Sequence, residues 1–257
     1  MPLNGDPQMT SPTFGSTLLR GGLAGVIAGL AGAAVQYFLT EIPLEAALAV
    51  EEARPAEPSA GDHHEELFDR GTQLVGGLLA TVVIGLAIGL VFAVAFARLR
   101  HRLPGRADLD RALLLGGVGF LTISLLPGLK YPANPPGVGD PSTVEERTLL
   151  YLAVIVAGLV LANLAPWFNR FLARKGLDRS VRLVLTGLST VVLLALVVIL
   201  LPANNDPIPA DIPAPLLWQF RLYSLIQLAT LWTVLASVFG LLLDRQLRKA
   251  DTQALAA

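Results

Sequence analysis

Between Leu183 and Leu201 the chain reads LVLTGLSTVVLLALVVILL, nineteen residues without one Asp, Glu, Lys or Arg. At a rise of about 1.5 Å per residue, a helix of that length covers roughly 28 Å, close to the thickness of a bilayer's hydrocarbon core. The run continues without charge to Asn205, and five others resemble it: Gly21 to Thr40, Gly71 to Ala97, Ala112 to Leu129, Thr148 to Asn169, and Leu222 to Leu243. They are continuous apolar stretches. A membrane β-barrel would instead show alternating segments of about ten residues. In lipid each backbone N–H and C=O must be satisfied within its own segment, so the runs predict helices. The fold class expected is an all-α, polytopic helix bundle with six transmembrane helices.

The composition agrees. Of 257 residues, 53% are hydrophobic and 15% charged, against about 25% charged in soluble domains. There are no cysteines, which excludes thiolate metal sites, iron–sulfur clusters and disulfides. The first apolar run is too long for the core of a signal peptide and reads as a retained first span. A tail over residues 1–15, a membrane domain over 16–244 with an acidic loop over 41–70, and a tail over 245–257 are the expected divisions.

Orientation follows from the basic residues. Of 19 Lys and Arg, 14 fall in the N-terminal segment, the second and fourth loops and the C-terminal tail. Arg98, Arg100, Arg102, Arg106 and Arg111 mark the second loop; Arg170, Arg174, Lys175, Arg179 and Arg182 mark the fourth. The split alternates without exception, so both termini are expected on the cytoplasmic side and the odd-numbered loops outside.

Those outer loops differ. The first, Glu41 to Arg70, holds nine carboxylates and the pair His63–His64, and a short helix is expected near Ile42 to Ala53. The third contains the sequence Lys130-Tyr-Pro-Ala-Asn-Pro-Pro-Gly137, and the fifth, Asp206 to Arg221, carries four prolines. Proline fixes φ and removes a donor, so both should be stiff, non-helical connectors. Leu125-Leu126-Pro127 recurs as Leu200-Leu201-Pro202, 75 residues on. This reads either as a trace of duplication or as a repeated helix stop.

Candidate chemistry concentrates in Asp62, His63, His64, Glu65 and Glu66. Imidazole and carboxylate together suit borderline divalent cations such as cobalt, nickel or zinc. The same residues also read as a solvated acidic loop. Lys130, Tyr131 and Asn134 are the polar groups of the third loop, either at the mouth of a pathway or in a tight cap. Arg70, Arg147 and Arg221 each open a span against the helix dipole, which predicts partners among Asp69, Glu145, Glu146 and Asp211, or snorkelling to headgroups.

Within the spans, Gly21, Gly25, Gly29 and Ala33 form a small-residue ridge, and Gly85 and Gly89 repeat the device. Such ridges let another backbone approach, in this chain or in a second copy. Gln36, Asn163 and Gln227, with Thr81, Thr122, Ser124, Thr186, Ser189, Thr190 and Thr230, are the polar residues at span depth and read as helix glue. No ionisable side chain lies at a span centre, and no P-loop, His-Glu-x-x-His or Gly-x-Ser-x-Gly motif occurs. An enzyme is not expected, and the chain by itself cannot use ATP.

The order of these features resembles the CbtA family of cobalt transporter subunits. A Gly-rich first span (Leu19 to Ala34) precedes an acidic loop with histidines (Glu51 to Glu66). Then come the segment from Leu125-Leu126-Pro127-Gly128 to Pro135-Pro136-Gly137, Arg147-Thr148 leading into a span, and a last span after Trp218. The likeness covers roughly residues 15 to 245. It implies a multi-pass protein of the bacterial inner membrane, linked to cobalt and cobalamin supply. The implied partner is a small single-span CbtB-like subunit that bears histidine, while the bilayer and a second copy of the chain are partners expected from the apolar runs and the glycine ridges. No nucleic acid and no resident cofactor are implied, and cobalt or another divalent metal would be the substrate. A non-transporting scaffold or assembly subunit is the competing expectation.

Overall fold

A computed structural model describes residues 13–54, 69–204 and 206–256. Helix α1 (Phe14–Val35) passes through a π-helical segment (Gln36–Thr40) into α2 (Glu41–Glu52). After α3 (Arg70–Leu99), α4 (Asp108–Gly119) passes through a second π-helical segment (Phe120–Leu125) into α5 (Leu126–Lys130). A single 3₁₀ turn (Pro141–Thr143) precedes α6 (Val144–Arg174), which is followed by α7 (Arg179–Leu200) and α8 (Ala214–Ala256). The described residues contain no strand, and six helices are long and apolar enough to cross a membrane. The chain is all-helical and multi-pass.

Local chemistry sets the helix ends. Asp69 caps α3 by accepting from the N–H groups of Gly71 and Thr72 at 3.1 and 3.4 Å, supplying acceptors to donors that have no intrahelical partner. The C-terminal end of α6 is closed by Gly176 at φ +80°, whose N–H donates to Ala173 O at 3.0 Å, a left-handed position that glycine fills without steric cost.

Two spans run three turns or more past the ends of their charge-free cores. The first continues as one helix from Phe14 to Glu52, so the connector expected to open at Glu41 begins with three turns of helix, in agreement with the short helix expected there. Glu41 itself is buried. A charge does not by itself end a span, because a carboxylate near the end of a charge-free run can be enclosed by neighbouring side chains while the helix continues. At the other end, α8 continues past Leu243 to Ala256.

Each π-helical segment lies just before a proline of the same continuous helix, although Pro166 of α6 sits in regular α-helix. A proline ring clashes with the carbonyl four residues back. For Pro43 that residue is Leu39, and for Pro127 it is Ile123. Each lies inside a π-helical segment, where the wider turn moves the carbonyl away. The two Leu-Leu-Pro triplets are therefore not equivalent: the first is a helix interior, whereas Leu200 ends α7 and Pro202 is coil.

The described chain forms two compact units. Described residues within Met1–Tyr37, His64–Gly117 and Ala229–Ala257 make the first. Its seam is the pair of glycine ridges, packed on each other. A Cβ added at Gly29 would stand 2.7 Å from Val82 Cα, and one at Gly85 would stand 2.6 Å from Gly29 Cα. Gly21 and Gly25 meet Gly89 and Gly85 in the same way. The ridge is thus filled from within the chain. Phe239 of α8 meets Phe92 and Phe96 of α3 edge-on, with centroids 5.3 and 5.1 Å apart, an arrangement the ring quadrupoles favour.

The second unit comprises described residues within Phe38–His63 and Val118–Leu228. Here Gly158 of α6 rests on Thr122, and Asn169 Nδ2 donates to Thr186 Oγ1 on α7 at 3.4 Å. None of the 22 residues of α7 is buried, and its exposed face of Leu188, Val191, Val192 and Ile199 is what acyl chains cover at no desolvation cost.

An arginine-lined cavity as candidate functional site

The second unit holds an open cavity of about 520 Å³ between α5, the start of α6, the first half of α8 and the proline-rich connectors. Tyr131, Asn134, Arg147, Tyr151, Asn204 and Arg221 supply most of its polar lining.

The connectors hold their course through three polar clasps. In the first, Arg54, just beyond α2, makes a two-pronged bond to Asp211, with Nε–Oδ2 at 2.7 Å and Nη2–Oδ1 at 3.1 Å. Its third nitrogen donates to Gly137 O at 3.0 Å. The guanidinium holds the Asp211 carboxyl below the usual carboxylate range. In the second, Arg147 pairs with Asp206 at 3.1 Å, and the Thr143 hydroxyl donates to the same carboxylate at 3.0 Å. Arg147 Nη2 also donates to Asp140 O at 3.2 Å. Gly139 sits against this arginine at φ +108°, with 2.6 Å between Arg147 Nη1 and the place a Cβ would occupy. In the third, the Tyr131 hydroxyl donates to Pro202 O at 2.7 Å. Burial and the nearby Glu146 push this phenol up, so it stays protonated and remains a donor at neutral pH.

Arg221 differs from these. Its Nε donates to Ala133 O at 3.3 Å and its Nη2 to Asn134 Oδ1 at 2.8 Å. Neither acceptor carries charge. Among the described residues Arg147 pairs with Asp206 while Arg221 meets no carboxylate, so these two side chains leave an excess of positive charge at the wall. Lys130 lies close by, with Nζ 5.7 Å from the Tyr131 ring centre, and adds to it.

The expected site residues are placed unequally. Tyr131 and Asn134 line the cavity and Lys130 flanks it. Arg147 takes Asp206 as its partner and not Asp69, Glu145, Glu146 or Asp211, and Asp211 pairs with Arg54. Asp62, His63, His64, Glu65 and Glu66 lie outside the described residues. Among the described residues no group of three or more His, Asp or Glu side chains could hold a metal ion.

The polar residues at span depth mostly engage protein. Thr81 Oγ1 donates to Gln36 Oε1 at 2.6 Å in the first unit, and Thr40 Oγ1 to Gln227 Oε1 at 3.4 Å in the second. Thr122, Asn163, Ser189 and Thr190 bond carbonyls of their own helices.

A buried charge cluster in the first unit was not anticipated. Asp108, 1% exposed, accepts from Arg100 Nε and Nη2 at 2.8 and 2.6 Å and from Arg111 Nη1 at 2.9 Å. Its own N–H donates to Asp244 at 3.0 Å. The basic charge of these arginines marks sidedness, and it also neutralises a buried carboxylate. The clue was an aspartate between two of them, eight residues after one and three before the other.

An all-helical, multi-pass membrane protein with an arginine-bearing, largely apolar cavity among the ends of its helices is the class these features define. Over residues 14–244 the chain matches the family model described as "Probable cobalt transporter subunit (CbtA)", and it belongs to that family. Comparison with curated proteins and with solved structures returns no match.

Proposed function

We propose that the protein is the multi-pass subunit of a cobalt uptake system in the bacterial inner membrane, feeding cobalamin supply and working with a small single-span CbtB-like subunit. The observation that carries this reading is the family match across all six apolar helices. In this proposal Asp62, His63, His64, Glu65 and Glu66 gather the divalent cation on the outer side. A dense run of carboxylates concentrates cations locally, an effect that weakens as salt is added. The arginine-lined cavity is a poor resting place for a bare dication, which supports assigning capture to the acidic connector. Losing water inside the bilayer is costly for such an ion; ligands from the partner helix would offset that cost.

A second reading, a non-transporting assembly subunit, is favoured by the way membrane-depth amides and hydroxyls are spent on one another. Radioactive cobalt accumulation separates the two. In cells deleted for this chain, restoring the wild type should restore uptake at submicromolar cobalt, and restoring the H63A/H64A double variant should leave it several-fold lower. Full uptake by an equally expressed double variant would remove the capture role. Full uptake without the chain would leave only the assembly role.

A further inference from the structure

The charge of the cavity points to a ligand unlike a metal cation. Two guanidinium groups line it, and the described lining residues include no carboxylate. Arg147 has its counter-ion in Asp206, whose side chain is 7% exposed. Arg147 Nε is buried and lacks a hydrogen-bond acceptor. Arg221 is held by a carbonyl and an amide oxygen and by no carboxylate among the described residues. Glu146 raises the Tyr131 phenol but is itself exposed and does not line the cavity. Among the described residues Arg221 is therefore the lining guanidinium without a carboxylate partner, fixed in direction by Asn134 and Ala133. Around it Tyr151 and Asn204 offer neutral hydrogen-bonding groups, and Leu152, Leu225 and Leu228 contribute apolar lining.

We infer that this cavity binds an oxyanion of the phosphate class, with Arg221 as its principal contact. A planar guanidinium presents paired N–H donors that match the spacing of phosphate oxygens, and these charge-assisted bonds are about twice as strong as neutral ones. A phosphate would also neutralise the charge on Arg221. The volume is ample for the group and for part of what it is attached to. Two sources share this chemistry: the headgroup of an anionic phospholipid, whose chains would follow the leucine lining, and a water-soluble phosphate. The inference does not depend on the cobalt reading.

The full-length protein in mild detergent tests it, alongside R221Q and S224F; the second variant fills the cavity and keeps both arginines. One arm measures phosphatidylglycerol retained through delipidating washes, by native mass spectrometry, with phosphatidylcholine as reference. The other measures the rise in Tm that inorganic phosphate gives to delipidated protein. The wild type should give one of these signals, and each variant that folds should weaken it about tenfold. Loss of phosphatidylglycerol retention assigns the site to a lipid headgroup, and loss of the phosphate-dependent rise assigns it to a soluble anion. Neither signal in the wild type, or equal signals in wild type and S224F, overturns the inference.

Discussion

The two units of this protein are held together by different physics. In the first, α1 and α3 approach so closely that Gly25, Gly29, Gly85 and Gly89 leave no room for a Cβ. In the second, proline-rich connectors are pinned by Arg54–Asp211, Arg147–Asp206 and the Tyr131 hydroxyl around a cavity. Lipid explains the contrast. Apolar side chains gain little by leaving acyl chains for one another, so helices inside the bilayer associate through close backbone packing and hydrogen bonds. Connectors reach water, where charge and directed polar bonds can fix a course. The lesson is that the seam is rigid by exclusion of atoms, whereas the cavity depends on polar groups that a ligand can also engage.

Substitutions can break this contrast at several strengths. The largest effect is expected from Gly85→Leu, which would force a side chain into the backbone of α1. Overpacking costs about 1–3 kcal/mol even where neighbours can shift, and backbone cannot shift as a side chain does. Folded protein recovered from membranes should fall by more than tenfold. Gly76→Leu on the same helix, with open space at its Cβ position, should leave recovery near wild type. Equal losses in the two would show that the seam is not where the unit is held.

Next comes Asp108→Asn, which strands Arg100 and Arg111 around a buried neutral amide. Breaking one side of a buried ion pair costs about 3–5 kcal/mol, so a clearly lower Tm is expected in detergent. Replacing Asp110, which is exposed in the same turn, should do much less.

The smallest effect belongs to Asp211→Asn in the connector clasp. Arg54 and Asp211 are solvent-facing, and exposed pairs contribute little, so at pH 7 the variant and the wild type should melt together. The pH dependence has a definite sign. Because Arg54 holds the Asp211 carboxyl below its ordinary range, whatever stability the pair gives is present above the unfolded value of about 3.9 and is lost as pH falls through the folded value. Melting curves of wild type and variant should therefore stay parallel from pH 8 to pH 5. A gap that opens anywhere in that range would contradict the assignment.

Much of this was legible in the sequence, for reasons that differ by residue. The spans could be read because lipid admits almost no ionisable group, which leaves gaps as plain as Leu183 to Asn205. The glycine ridges announced a close contact, but periodicity carries no partner, so the meeting of Gly25 with Gly85 required coordinates. The prolines at 43 and 127 were visible, whereas the π-helical turns that accommodate them were not, because a proline can equally end a helix, as Pro202 follows the end of α7. The cavity was half visible. Tyr131 and Asn134 stood out in an unusual loop, but Asn204 and Arg221 come from distant segments, and nothing local couples them. Arg147 was expected to find a carboxylate, and it found one 59 residues away in Asp206, beyond the reach of any spacing rule.

How the chain is threaded through the bilayer underlies the whole account, and sided labelling tests it most directly. The sequence contains no cysteine, so His63→Cys and Arg102→Cys each create a unique target. In intact cells a membrane-impermeant maleimide should react with the cysteine at position 63 and should reach the one at position 102 only after permeabilisation. Labelling of both positions from the same face would contradict the threading, and with it an outward acidic connector that gathers metal.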